Sequence, residues 1–111
     1  MISKFNLLKN NVMNEGLLIN KDEKITKYKV KEDFFYFIKE ESLKDFIEIF
    51  ENIIKTKEYN NDVILYQYPN LKKINFLSDN DNNLKVDKAL LVNNIEKKIN
   101  SHFIFLLIFK N

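Results

Sequence analysis

The chain has 111 residues, of which 45% are apolar and 14% aromatic, and its formal net charge is +2. This length and composition indicate a single globular domain and argue against an intrinsically disordered chain. The chain contains no cysteine, which excludes disulfides and thiolate chemistry, and no arginine, which disfavours a reader of guanine edges in the major groove.

The N-terminal part, residues 1–31, is predicted to be an extension that ends in a β-hairpin. The apolar residues 17–19 and the segment 25–30 read as two strands that turn across the polar residues 20–23. No continuous apolar stretch typical of a signal peptide opens the chain. The longest apolar run, 103–109, is far shorter than a membrane-spanning helix requires, so we expect a cytoplasmic protein without membrane contact.

Three lysines alternate along the second strand of this hairpin: Lys27, Lys29 and Lys31. Period-two spacing places alternate side chains on one face of a strand. Such a row would track a phosphate backbone, as a nucleic-acid-binding module does. The competing interpretation is an edge strand that lysines protect against unwanted pairing.

The second part, residues 32–111, is predicted to form an α+β core. Residues 34–38 are favoured as a strand rather than an extra helical turn, and residues 42–57 follow the spacing of an amphipathic helix. Ser42 is a suitable N-cap for that helix, with Asp45 at the capping-box position.

Several acidic residues surround the 42–57 helix, and we consider them as a partner-binding face. One interpretation is an ordinary solvated helix surface. The other is an acidic surface that docks on a basic groove, with opposite charge accelerating the encounter. The residues of this acidic face are Glu40, Glu41, Asp45, Glu48 and Glu51.

The remaining segments complete an alternating pattern. Residues 62–68 and 73–77 are predicted to pair as a hairpin, residues 86–99 to form a helix that Asp87 caps, and residues 102–109 to form a strand buried on both faces. From residue 34 onward the order is β-α-β-β-α-β, which is the ferredoxin-like order. We therefore expect an antiparallel sheet with two helices on one face, preceded by the N-terminal hairpin.

The most apolar strand, 103–109, lies at the edge of the sheet in the ferredoxin-like arrangement. An exposed apolar edge invites pairing with another chain. We therefore expect the N-terminal hairpin to cover this strand, or else a second copy in a homodimer or another partner to do so.

Four aromatic residues, Phe34, Tyr36, Tyr66 and Tyr68, are candidates either for core packing or for an open sheet face on which bases stack. Core packing is the favoured interpretation, because the glycine and basic residues of the usual RNA-binding consensus are missing.

The sequence contains no convincing catalytic apparatus, so we expect no enzyme activity, no cofactor and no metal. His102 is the only histidine, and its neighbour Ser101 would point to the opposite face of a strand. The run 79–83 resembles the start of an EF-hand loop, but Leu84 and Leu90 occupy positions that require Gly and Glu. A single glycine, Gly16, excludes the usual phosphate-binding loops.

Two functions remain. The first is a small interaction protein that inhibits or regulates another macromolecule, such as a nucleic-acid enzyme, in the manner of immunity proteins, antitoxins or phage anti-defence (anti-CRISPR) proteins. The segmental charge supports it, since residues 32–62 are acidic and the flanking segments basic. The alternative is a nucleic-acid-binding module of split βαβ type that uses the lysine strand and the sheet aromatics.

Overall fold

The computed structural model describes residues 3–55, 63–68, 73–76, 88–95 and 103–110. These residues form three helices and six strands, which confirms an α+β protein with an antiparallel sheet. The sheet has the strand order β1-β2-β3-β6-β4-β5. In chain order the elements are α1 (Lys4–Glu15), β1 (Leu17–Lys21), β2 (Ile25–Val30), β3 (Asp33–Glu40), α2 (Leu43–Ile54), β4 (Val63–Tyr68), β5 (Ile74–Phe76), α3 (Lys88–Asn94) and β6 (Phe103–Phe109).

Helix α1 occupies the stretch for which the sequence predicts no element. The side chain of Ser3 caps it by accepting a hydrogen bond from the backbone N–H of Asn6 at 3.1 Å. Its buried residues, Phe5 and Val12, face the sheet. The helix ends at Glu15, and the N–H of the following Gly16 donates to the carbonyl of Val12 at 2.7 Å.

The predicted N-terminal hairpin is confirmed, because β1 pairs antiparallel with β2. Leu17 lies opposite Lys29 and Lys21 opposite Thr26, with a shift of register between Leu18 and Asn20. Strand β2 pairs in turn with β3, which also confirms a strand at 34–38. The hairpin is therefore part of the same sheet as the rest of the chain.

Helix α2 begins as the sequence predicts. Ser42 is its N-cap and accepts a hydrogen bond from the backbone N–H of Asp45 at 3.3 Å. Phe46 and Phe50 are fully buried, and the ring of Phe46 stacks on Phe105 with 3.8 Å between centroids. The helix ends at Ile54, and residues 56 and 57 of the prediction lie outside the described residues.

The predicted edge position of the strand 103–109 is wrong. Strand β6 lies between β3 and β4 and pairs antiparallel with both. The ferredoxin-like topology is accordingly not confirmed, since there the last strand lies outside the first, whereas here it separates the first from the second. The homodimer predicted through this strand also loses its basis, because both edges of β6 are paired within the chain.

The physical reason for the central position is the two-sided apolar character of β6. Phe105, Leu107 and Phe109 belong to one buried cluster, together with residues of α2 and α3, and Leu106 and Ile108 belong to the other cluster, with α1. A strand that is apolar on both faces is best buried when both its edges and both its faces are covered. Helices α2 and α3 thus share one side of the sheet, hereafter the α2 side, and α1 covers the opposite α1 side.

Leu91 of helix α3 belongs to the core on the α2 side, and so does Ile95, the first residue after the helix. The predicted cap Asp87 and residues 96–99 lie outside the described part of the chain. Strand β5 pairs antiparallel with β4, which confirms the second predicted hairpin. No helix within the described residues is long and apolar enough to cross a membrane.

Candidate functional site

A cleft of about 610 Å³ lies between the turn of the first hairpin and helix α2. Its walls carry five carboxylates and a single ammonium group, so its local charge is negative. We refer to it as the acidic cleft. It is lined by Asp22, Glu23, Lys24, Ile25, Glu40, Asp45, Glu48, Ile49 and Asn52.

The turn between β1 and β2 forms one wall of the acidic cleft. The carboxylate of Asp22 accepts hydrogen bonds from the backbone N–H groups of Lys24 at 2.8 Å and Ile25 at 2.7 Å. Asp favours turns because its side chain bonds to its own backbone in this way. The N–H of Lys39 donates to the carbonyl of Lys24 at 2.8 Å, which attaches the turn to the end of β3.

Glu40 ends β3 and forms the floor of the acidic cleft, with 7% of its surface exposed. One carboxylate oxygen accepts from Nζ of Lys24 at 3.1 Å and the other from the N–H of Glu41 at 3.0 Å. Burial by itself raises the pKa of Glu40, but these hydrogen bonds, with a further one from the Ser42 backbone, outweigh burial and lower it below the ordinary 4.5. Glu40 is therefore held as an anion.

Lys24 is the cation of the acidic cleft, and its side chain is 59% exposed. The hydrogen bond to Glu40, reinforced by the charge of that carboxylate, raises the pKa of Lys24 above 10.5. Glu23, Asp45 and Glu48 lie exposed around this pair. The cleft therefore presents several carboxylates to solvent above one neutralised pair.

The five residues predicted as an acidic face do not form one surface. Asp45 and Glu48 line the acidic cleft, but Glu40 is buried at its floor rather than offered to a partner. Glu41 is exposed beside a smaller neighbouring cavity of about 400 Å³. Glu51 lies on another side of α2, where it pairs with Lys88 of α3 at 3.1 Å and lines a separate groove between the two helices.

Asp22 and Glu23 are not recognisable as site residues in the sequence. Their segment is typical only of a turn. Ile25 lies opposite Ile38 in the β2–β3 pairing, and this register brings the turn beside Glu40. The sequence offers one signal for this placement, the alternation of apolar and polar residues along the strands. That alternation fixes the pairing register of two strands only when the length of the turn between them is known.

The predicted row of three lysines is corrected to two. Lys27 and Lys29 project from the same face of β2, opposite Tyr36 and Phe34 of β3. Lys31 lies in the turn after β2, with a left-handed φ of 55°, and so leaves the row. The edge-protection interpretation is also wrong, because β2 is paired on both sides and β1 forms the edge.

The two remaining lysines cover aromatic rings. Nζ of Lys27 lies 4.6 Å from the ring centroid of Phe34 and 5.2 Å from that of Tyr36, and Nζ of Lys29 lies 5.7 Å from Phe34. Ammonium groups at such distances are attracted by the negative face of the ring. These ring faces therefore meet lysines rather than stacked bases.

The four aromatic residues considered as a stacking platform lie on opposite sides of the sheet. Phe34 and Tyr36 belong to the cluster on the α2 side, and Tyr66 and Tyr68 to the cluster on the α1 side. Tyr68 packs against Phe5 of α1 with 5.0 Å between ring centroids. They cannot form a single platform.

The catalytic and metal candidates of the sequence, His102 and the run 79–83, lie outside the described residues. Within the described ranges, no three carboxylate or histidine side chains are grouped so as to hold a metal ion. The carboxylates of the acidic cleft come instead from the hairpin turn, the end of β3 and α2.

The chain matches no protein-family model, no curated protein and no solved structure. The acidic cleft and the lysine-bearing strand β2 are the features of the described residues that bear on function.

Proposed function

We propose that this chain is a small non-enzymatic interaction protein that docks its acidic cleft on a basic surface of another macromolecule and thereby inhibits or regulates it. Immunity proteins, antitoxins and phage anti-defence proteins act in this general way. The observation that carries the proposal is the convergence of five carboxylates on one open cleft from three parts of the chain: the hairpin turn, the end of β3 and α2.

The negative charge of the acidic cleft favours a partner with a basic surface. Carboxylates make strong charge-assisted hydrogen bonds with lysine and arginine side chains. Enzymes that act on nucleic acids display such side chains in grooves that hold phosphates. A protein that occupies such a groove with carboxylates competes directly with the phosphates, and opposite charge accelerates the encounter.

The fixed floor of the cleft favours binding over mere surface charge. Glu40 is held by hydrogen bonds from Lys24 and from the backbone of Glu41. The exposed carboxylates of Asp45 and Glu48 are carried by a helix whose first turn is capped. Groups that are ordered before binding lose less conformational entropy when a partner arrives.

The alternative, a nucleic-acid-binding module, has less support. Lys27 and Lys29 do share a face of β2, which favours phosphate contacts. Their ammonium groups, however, lie over Phe34 and Tyr36, and the other two aromatic residues face away.

The proposal is tested with a charge reversal in the acidic cleft and a matched control. Asp45→Lys changes the net charge by the same amount as the double variant Asn11→Lys/Asn14→Lys, whose exposed sites lie on α1 across the sheet. A partner is captured from the source organism with the wild-type chain, and its dissociation constant is then measured by calorimetry for all three proteins.

We expect Asp45→Lys to weaken the complex at least about tenfold and the α1 double variant to change it by less than about twofold. Equal weakening by both variants would show that only net charge matters and would refute a specific cleft. A labelled single-stranded oligonucleotide is titrated in parallel. The nucleic-acid alternative would replace the proposal under two conditions. No protein partner is captured, and the chain binds the oligonucleotide in a salt-sensitive way that Lys27→Ala abolishes.

A further inference from the structure

Strand β1 forms one edge of the sheet and carries an uncovered apolar run. All five of its residues are exposed, and among the described residues β1 pairs only with β2. Leu17, Leu18 and Ile19 are 66%, 48% and 45% exposed. Three consecutive large apolar side chains beside an unpaired backbone edge are an unusual surface for an isolated chain.

The edge has little protection against pairing. Proteins protect edge strands with charges, proline, bulges or covering elements. Strand β1 has no proline, and its one charge, Lys21, lies at its end. The irregular register between Leu18 and Asn20 is its only bulge-like feature. It interrupts the edge without hiding the apolar side chains.

From this edge we propose that two copies of the chain associate through antiparallel pairing of β1 with β1, which extends the sheet across a two-fold axis. The inference is independent of the proposed function, since it uses neither the exposed carboxylates of the acidic cleft nor a foreign partner.

The charge pattern around β1 favours a second copy over an unrelated strand. Glu15 ends α1 just before the strand begins, and Lys21 is its last residue, both of them exposed. The ends of a five-residue strand lie about 13 Å apart. Antiparallel pairing therefore moves Lys21 of each copy away from the other copy's Lys21 and toward its Glu15. The two opposite charges meet twice, once at each end of the pair.

The size of the edge sets the strength of the association. A five-residue strand buries less than the roughly 1,000 Å² expected of a stable interface. The register shift shortens the regular stretch further. We therefore expect a reversible dimer that forms as concentration rises, not an obligate one.

The test is sedimentation equilibrium of the whole chain over a concentration series reaching about 1 mM, a range in which weak association is measurable. Ile19→Lys places a charge on the edge, and Leu7→Lys, at a 50% exposed apolar residue of α1, is its matched control. We expect Ile19→Lys to raise the dimer dissociation constant about tenfold or more and Leu7→Lys to leave it unchanged. Circular dichroism verifies that both variants fold.

A charge swap tests the arrangement of the two copies. Lys21→Glu should weaken the dimer, and adding Glu15→Lys should restore it. Hydrogen exchange of the β1 amides should slow as wild-type concentration rises. A wild-type chain that stays monomeric throughout would overturn the inference. The inference would also be overturned if Leu7→Lys weakened the dimer as much as Ile19→Lys does. It would be overturned as well if the double variant Lys21→Glu/Glu15→Lys dimerised no more tightly than Lys21→Glu alone. None of these results depends on whether Asp45→Lys affects the proposed partner complex.

Discussion

Gly16 stands where α1 ends and β1 begins, close against the backbone of β2. Its φ of −91° is accessible to any residue, so backbone conformation does not require glycine. The space at this position does require glycine, because a Cβ atom here would lie 2.5 Å from the carbonyl oxygen of Val12 and 3.0 Å from Cγ2 of Val30. The side chain that glycine lacks would push α1 away from the sheet.

We therefore expect Gly16→Ala to lower the free energy of unfolding by about 1–3 kcal/mol, the usual cost of forcing atoms into a packed site. Urea denaturation measures it. Asn14→Ala, on the exposed surface of the same helix, serves as control and should stay within about 0.5 kcal/mol of wild type. Equal effects of the two substitutions would mean that α1 adjusts freely at its end.

Glu40 couples stability to pH. Because its pKa is lowered in the folded state, its contribution is present above the ordinary pKa of 4.5 and is lost as pH falls through the lower folded value. Glu40→Gln should cost about 1–3 kcal/mol at neutral pH, the range for losing hydrogen bonds to a buried charged group. The difference in free energy of unfolding between this variant and the wild type should then become smaller below pH 4.5.

Urea midpoints measured from neutral pH downward give this comparison. Glu23→Gln, at an exposed carboxylate of the same acidic cleft, should change neutral-pH stability by less than about 0.5 kcal/mol. A gap between Glu40→Gln and wild type that stays constant into the acid range would show that the Glu40 side chain matters for packing rather than for charge.

Individual residues differ in how far the sequence reveals them. Ser42 is predictable as a helix cap, since the cap and the bond it accepts are three residues apart. Asp22 is predictable as a turn residue for the same local reason. The position of Asp22 beside Glu40 cannot be predicted in this way, because that position depends on pairing between segments that are separated in the chain.

At the scale of elements, β6 is the strand on which both cores depend. Leu106 and Leu107 are fully buried, one on each side of the sheet. We expect Leu106→Ala and Leu107→Ala each to cost about 2–5 kcal/mol, the range for removing a buried leucine side chain. Leu17→Ala on the exposed strand β1 should cost less than about 0.5 kcal/mol.

Thermal or urea unfolding of the three variants distinguishes the two sides of the sheet. If Leu106→Ala lowered the free energy of unfolding only slightly and Leu107→Ala lowered it strongly, α1 would cover the α1 side of the sheet only loosely. Similar severe effects would establish that α1 is as much a part of the core as α2 and α3.

The predictability of an element follows its amphipathic strength. Helix α2 places large apolar residues along one stripe and is evident in the sequence. In α1 the spacing of Phe5, Leu8 and Val12 is also helical, but asparagine and lysine dominate the intervening positions. Such a helix is stabilised chiefly by packing on the sheet, which a local pattern does not show.

At the scale of the whole molecule, the order of strands is what the sequence could not supply. The two hairpins follow from short turns between alternating segments, and both are confirmed. The place of β6 depends on competition between distant strands, and the expected edge position ignored that a strand apolar on both faces gains most from the middle of the sheet. The acidic cleft depends in addition on the register between β2 and β3, and the exposed edge depends on the place of β1 at the end of the sheet.

The insertion of β6 between β3 and β4 also bears on how the chain assembles, because a strand that comes late in the chain joins the other two. Phe34 of β3 is paired with Phe109 of β6, and β4 is paired with the other edge of β6. Contacts over such separations require a large loop to close first and slow the folding reaction. A nascent chain that has emerged only as far as β5 would hold two apolar strands with open inner edges, a state in which a chaperone is its best protection from aggregation.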